Sequence, residues 1–209
     1  MAKQDAGAIA LRKLDLKRDL KPYFTAARRP ALLDVPEFRF LAVDGEGAPE
    51  SGSFSSAIEG LYAVAYGSRF AAKAELGLDF PVMPLEGLWW SPGDAFDLES
   101  RDRWRWQLIV LVPPELPEAF IRGQQERAFA RKPVDSIRRV QLVTIREGLS
   151  AQVLHLGPYA AETPTIAALH DFIAARSLRP RGPHHEIYLG DPRRAAPEKL
   201  RTIIRQPVA

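Results

Sequence analysis

The run His184-His185-Glu186-Ile187-Tyr188-Leu189 holds the side chains of this 209-residue chain best suited to chemistry. Read as a β-strand, its period of two puts His184, Glu186 and Tyr188 on one face. His185, Ile187 and Leu189 then fall on the other. A carboxylate in mid-strand either faces solvent or sits in a cleft where it works. In a cleft among aromatic rings, desolvation raises its pKa towards a value useful for proton transfer. Alternatively it stays ionised and holds a cationic ligand beside the rings. Tyr188 is placed to donate a hydrogen bond to the same ligand. Glu86, in the run Pro84-Leu85-Glu86-Gly87-Leu88-Trp89-Trp90, occupies a similar mid-strand place and is a second carboxylate candidate. Gly87 beside it lets a helix or ligand approach closely.

All four tryptophans lie between positions 89 and 106. Trp104 and Trp106 share a strand face, whereas the neighbours Trp89 and Trp90 point to opposite ones. They are either a large core plug or the walls of an aromatic pocket. Tyr62 and Tyr66, one helical turn apart, are a pocket wall or a packing pair.

Other chemistries are excluded. The chain has no cysteine, so there is no disulfide, thiol nucleophile or cysteine-ligated metal. It has four histidines. The adjacent His184 and His185 cannot face one ion from a regular strand, and His155 and His170 lack a ligand spacing. No phosphate-cradling GxxxxGK[ST] loop, no GxGxxG after a strand and no GxSxG elbow is present. Nucleotide, metal and triad mechanisms drop out, and no cofactor is expected.

The elements that position these residues follow from pattern. Hydrophobic residues make up 46% and charged residues 26%, the proportions of a folded protein. No window reaches the ~18 apolar residues of a membrane span, and no secretory signal is visible, so a cytoplasmic protein is expected. The net charge of +3 conceals basic ends around an acidic middle, residues 31–100. Without a helix-turn-helix or zinc-finger spacing, this reads as solvated surface.

Residues 1–35 read as an N-terminal arm packed on a domain spanning 36–209. Phe38 to Val43 is a strand run, closed by a turn at Asp44-Gly45-Glu46-Gly47. Ser51 to Ser56 supplies N-cap candidates, with Ser56 and Glu59 at capping-box spacing, for a helix reaching about Lys73. Its stripes are Phe54, Ile58, Leu61 and Ala65, then Tyr62, Tyr66 and Phe70. Phe80 to Trp90 and Trp104 to Val112 read as strands. After a connecting helix over Pro117 to Lys132, the order repeats. Gln141 to Arg146 turns at Glu147-Gly148 into Ala151 to Leu156. A helix capped by Thr163 follows, with Pro164 at its first position, and then strands over His184 to Leu189 and Leu200 to Gln206. The expected fold is α+β, a duplicated strand-helix-strand-strand unit (repeat one about 37–113, repeat two about 141–207). It forms an antiparallel sheet with helices on one face and a ligand groove between the repeats.

The stretches LKRDLKPYF, DVPEFRFLAVDGEG, MPLEGLWW, LHLGPYAAETPTIAALHDFI and HHEIYLGDPRRAAPEKLRTIIRQPV resemble the GyrI-like small-molecule-binding family. They run from about Leu14 to Val208, and MPLEGLWW and HHEIYLGDPRR are specific strings. The resemblance implies the same duplicated fold, and a bulky aromatic or polycyclic small molecule as partner. With about thirty residues before the first strand, no direct DNA binding is expected, no membrane partner, and a monomer or weak dimer. The specific strings are similar to stand-alone bacterial members described as cyclopropanoid cyclopropyl hydrolases. Those detoxify DNA-alkylating natural products of the yatakemycin and duocarmycin type by opening their strained cyclopropane. The resemblance puts Glu186 in the pocket as the group that orients or deprotonates water, with Tyr188 assisting. Trp89, Trp90, Trp106, Tyr62 and Tyr66 would sandwich the ligand, with Glu86 a further candidate. His155 is a further donor or a structural histidine. A non-catalytic drug-sequestering module and a gyrase-inhibitory interaction protein are the alternatives.

Overall fold

A computed structural model describes residues 10–91, 93 and 103–209. In chain order its elements are β1 (Arg12–Lys13), α1 (Leu16–Asp19), β2 (Ala31–Glu46), α2 (Gly52–Ala71) and β3 (Leu78–Asp79). Then come β4 (Leu85–Trp90), β5 (Arg105–Val112), α3 (Glu118–Arg131), α4 (Asp135–Arg138) and β6 (Gln141–Leu156). The chain finishes with α5 (Thr163–Ala174), β7 (His184–Tyr188) and β8 (Arg201–Pro207). The expected repeat is present as β2-α2-β4-β5 followed by β6-α5-β7-β8.

Six strands form one antiparallel sheet that closes on itself in the order β2-β5-β4-β7-β8-β6. Within each repeat the last strand pairs with the first, and the repeats meet at two seams, β4 against β7 and β2 against β6. Closure leaves every barrel strand with two partners, so no edge stays unpaired. It also gives each strand an inward and an outward face. Inward side chains from five strands, among them Phe40, Leu88, Ile109, Ile145 and His185, converge on a residual void of only about 10 Å³. The barrel interior is therefore packed, with room for a water at most. Tyr23 from the N-terminal arm enters this interior and packs edge-on against Phe24 and Phe38. The arm is pinned further out by parallel pairing of β1 with β3. The outward face carries α2 over β2 and β5, and α5 over β6. Ile166, Leu169 and Ile173 of α5 build a second core cluster with Ala151, Val153 and Ile204.

Several boundaries differ from the sequence reading. Asp44 to Glu46 are strand rather than turn, because Gly45 accepts the cross-strand Trp106 ring: a Cβ there would lie 2.1 Å from it. Glu147-Gly148 does not separate two strands. β6 runs unbroken through it, with Gly148 at φ 64° and the strand bent opposite Pro36, which lacks an N–H to donate. Of the cap candidates Ser51 to Ser56, it is Ser51 that caps α2, its Oγ accepting from the Phe54 N–H at 3.3 Å, and not the Ser56–Glu59 box. Pro81 and Pro84 keep residues 80–84 out of strand pairing, so β4 begins at Leu85. β2 begins at Ala31, within the segment read as arm. Thr163 is the first residue of α5, and Glu162 stands at the cap position without a side-chain cap bond.

Candidate functional site

The β4–β7 seam sets which side chains meet. Its register pairs Gly87 with Glu186, Leu88 with His185 and Trp89 with His184. Paired residues share a face, so Gly87, Trp89, His184, Glu186 and Tyr188 lie together on the outward side. Glu86, Leu88, His185 and Ile187 lie together inside.

On the outward face, Tyr188 donates its hydroxyl proton to Glu186 Oε2 at 2.7 Å, and Trp89 Nε1 donates to Tyr188 Oη at 3.1 Å. His184 Nε2 lies 3.3 Å from Glu186 Oε1. Gly87 makes this possible: a Cβ there would lie 2.6 Å from Trp89 Nε1 and 3.0 Å from the Tyr188 oxygen. The close approach that the glycine permits is thus made by these two side chains. From the start of α5, Glu162 brings a second, buried carboxyl into hydrogen-bond contact with Glu186. The ring of Tyr159 packs edge-on against Tyr188 at 5.4 Å.

The two carboxyls titrate apart. Burial, then the charge of Glu186, pushes Glu162 up to about 9, so it is a neutral acid at pH 7. Burial also raises Glu186, but hydrogen bonds from His184, Tyr188 and Glu162 outweigh it and hold its pKa below the ordinary value. Burial and the Glu186 charge push Tyr188 well above 10, so it remains a donor. Burial, then Glu162 and Glu186, lifts Tyr159 to about 12. A carboxylate and a carboxylic acid in contact, differing in environment, form an acid–base pair.

Beside this pair is a cavity of about 470 Å³, walled by Trp89, Trp90, Thr163, Ile166, His170 and His184 among others. That volume suits a drug-sized ligand. Trp89 and His184 belong both to the wall and to the carboxylate cluster, so they connect the two. Phe54 of α2 stacks on Trp89 at 5.6 Å, and Trp104 meets Trp89 edge-on at 5.6 Å.

The other residues singled out from sequence sit elsewhere. Trp106 is fully buried beneath Phe54, over Gly45, and donates to the Gly47 carbonyl at 3.2 Å; it is core. Tyr62 and Tyr66 pack at 5.9 Å on α2, where burial and the neighbouring Asp191 raise Tyr62. Tyr66 is 47% exposed and stacks on Phe70, away from the cavity-lining residues. His155 is buried, with Nδ1 2.9 Å from Thr165 Oγ1 and Nε2 3.3 Å from the Pro158 carbonyl. It fastens the turn that carries Tyr159 and Glu162, and so acts structurally.

Glu86 points into the barrel, away from the groove. It accepts from the Tyr23 hydroxyl at 2.5 Å and lies 3.0 Å from His185 Nε2. His185 Nδ1 lies 2.9 Å from Glu147, which also accepts from Arg205 at 3.0 Å. Arg205 further donates to Gln152 and to the Tyr23 carbonyl. Burial lowers His185, but Glu147 and Glu86 overcome it and lift the imidazole to about 9. Burial raises Glu147, yet His185 and Arg205 bring it down to about 2. This is an internal ion network behind the seam.

Sequence reasoning missed Glu162 and Tyr159. A signal was available: glutamate is a poor cap, yet it directly precedes the helix start Thr163-Pro164. Among the described residues, no group of three or more His, Asp or Glu could hold a metal ion. No helix among them is long and apolar enough to cross a membrane.

Residues 29–209 match the GyrI-like small molecule binding domain. Three solved structures from Listeria innocua are similar across almost the whole chain. One, described as an uncharacterized conserved protein, is 41% identical with a TM-score of 0.87, covering 94% of this chain and 100% of its own. A second, described as a hydrolase, is 38% identical with a TM-score of 0.82 and the same coverage. A third, also described as a hydrolase, is 40% identical with a TM-score of 0.85, covering 95% of this chain and 100% of its own. No curated protein matches.

Proposed function

The chain belongs to the GyrI-like small-molecule-binding family, and on that premise we propose that it is a hydrolase opening the strained cyclopropane of planar alkylating agents. Such agents, of the yatakemycin and duocarmycin type, are detoxified when water opens the ring. The observation that carries this reading is the Glu186 carboxyl, accepting from Tyr188 and 3.3 Å from His184, beside an aromatic-walled cavity. The solved structures described as hydrolases, at about 40% identity, support it.

A cyclopropane fused to a cross-conjugated dienone is an electrophile. Attack at its least hindered carbon restores an aromatic phenol, so strain and aromatisation drive the reaction. The protein must seat the flat ligand, position water and accommodate charge on the developing phenolate. Trp90, half-buried, offers a wide, stiff face for stacking, and Trp89, 3% exposed and stacked on Phe54, contributes its edge to the wall. Glu186 orients the attacking water and takes its proton. Tyr188, high in pKa, keeps Glu186 aimed and supplies a donor for developing negative charge.

The test is incubation with a cyclopropane-bearing dienone alkylator, with the ring-opened water adduct followed by mass spectrometry. Wild type should turn over repeatedly, and Glu186→Gln should be slower by about 10²–10⁴-fold. Binding without turnover by the wild type replaces the hydrolase reading with a sequestering module.

A further inference from the structure

The ring-opening scheme leaves Glu162 unused, although it is the most unusual acid in the site. It is 4% exposed and touches the Glu186 carboxylate, and its Oε1 has no hydrogen-bond partner among the described residues. A buried polar atom without a partner marks where water or a ligand group belongs. Two carboxyls in contact away from solvent cannot both ionise, so the pair retains one proton. Glu86, inside the barrel, also has an Oε1 without a partner among the described residues; that of Glu162 differs in belonging to the carboxyl beside Glu186 on the outward, cavity side, where a proton can be handed to a ligand.

We propose that Glu162 is the proton donor of the site: it protonates the oxyanion released on ring opening and is recharged by Glu186. This role rests on the hydrolase reading. The water oxygen bonds the methylene carbon while one water proton passes to Glu186. The ring carbon–carbon bond breaks, and its electron pair aromatises the dienone into a phenolate. The Glu162 proton moves to that oxygen. Glu186, now protonated, returns its proton to Glu162 across their shared hydrogen bond. The sum is addition of one water, and both carboxyls end as they began.

The groups facing Glu162 are Glu186 and Tyr188 from β7, Thr202 from β8 and Tyr159 from the turn before α5. Both tyrosines are raised clear of neutrality, so they stay protonated where Glu162 titrates, at about 9. Activity that needs the Glu162 proton is therefore present below that pH and lost as pH rises through it.

Glu162→Gln keeps the shape and still offers an N–H to Glu186, but it has no proton to give. With a cyclopropane-fused dienone as substrate, kcat should fall by about 10²-fold, with KM unchanged and the decline above pH 9 gone. Along a series whose ring-opened phenols grow more acidic, the gap to wild type should narrow, which a purely structural role would not produce. Wild-type kcat and an unchanged alkaline limb in the variant overturn the proposal. So does loss of ligand binding together with turnover, read by quenching of tryptophan fluorescence. A wild type that never opens the ring removes the hydrolase reading and this role together. A variant as fast as wild type removes this role alone.

Discussion

The β4–β7 seam carries two acidic clusters back to back, built from adjacent residues of the same strands. Inside the barrel, Glu86 and Glu147 are matched by His185 and Arg205, and the guanidinium also sits over the Tyr23 ring at 4.3 Å. Both signs of charge are present, although Glu86 Oε1 lacks a partner among the described residues, and Glu147 titrates low and His185 high. Outside, Glu186 and Glu162 meet hydroxyls, an indole and a histidine in place of a guanidinium. One of them keeps its proton, and its free oxygen is unbonded. Similar residue types thus give a charge-compensated network on one side and a carboxyl pair that keeps a proton on the other. Compensation of charge, more than burial, separates them, since Glu162 is as buried as Glu147, although Glu186 keeps 15% of its side chain exposed.

This contrast can be broken by experiment. The largest effect is expected at Glu186→Gln, where turnover falls about 10²–10⁴-fold while urea unfolding stays within the range of a surface change. A large loss of stability would make the outward cluster structural, like the inner one. Arg205→Met should do the reverse. It leaves Glu147 buried without its guanidinium and costs about 3–5 kcal/mol in unfolding free energy. A Glu147→Leu/Arg205→Met double variant should recover much of this, because a buried pair exchanged for apolar groups is often neutral.

Acidity offers a milder probe. His185 has a raised folded pKa, so its stabilisation is complete below 6.5 and is lost as pH rises through about 9. Glu147 has a depressed one, so its contribution is complete above 4.5 and is lost as pH falls through about 2. Thermal stability from this network should therefore be greatest between pH 4.5 and 6.5. Glu162 also destabilises the folded state as pH rises from 4.5 towards about 9, so Glu162→Gln should flatten the alkaline decline. An unchanged slope would contradict the protonated assignment. The smallest effect is expected from Gly87→Ala. Its Cβ would crowd Trp89 and Tyr188, costing about 1–3 kcal/mol by overpacking and weakening ligand binding.

Much of the arrangement was legible in the chain. The repeat order, the helix stripe of Ile166, Leu169 and Ile173, and the shared face of His184, Glu186 and Tyr188 are local patterns, visible wherever period and residue type agree. Less legible was the length of β2 and β6. Glycines at 45, 47 and 148 look like turns in sequence, but they serve a cross-strand tryptophan and a bend inside long strands. The aromatic cluster was legible as a cluster, without the division that assigns Trp106 to the core and Trp89 to the cavity wall. Tyr62 and Tyr66 share a helix face whichever neighbour covers it, and α2 places them beside the turn at Asp191.

Alternation along a strand is dictated by backbone geometry, so the sequence by itself determined that Glu86 and Gly87, or His185 and Glu186, face opposite ways. Which face became groove was decided by tertiary structure alone. That choice depends on closure of the barrel and on contacts between distant residues. Tyr23 reaches Glu86 across 63 positions, and Arg205 reaches the Tyr23 carbonyl across 182. Only when the arm fills the interior and α5 brings Glu162 to the outer face does one glutamate become a buried ion-pair member and the other an outward carboxylate paired with a second acid. No local pattern encodes that difference: Glu86 meets its cation from His185, 99 positions away, whereas Glu186 is bonded by its neighbours His184 and Tyr188 and meets Glu162 only through the fold.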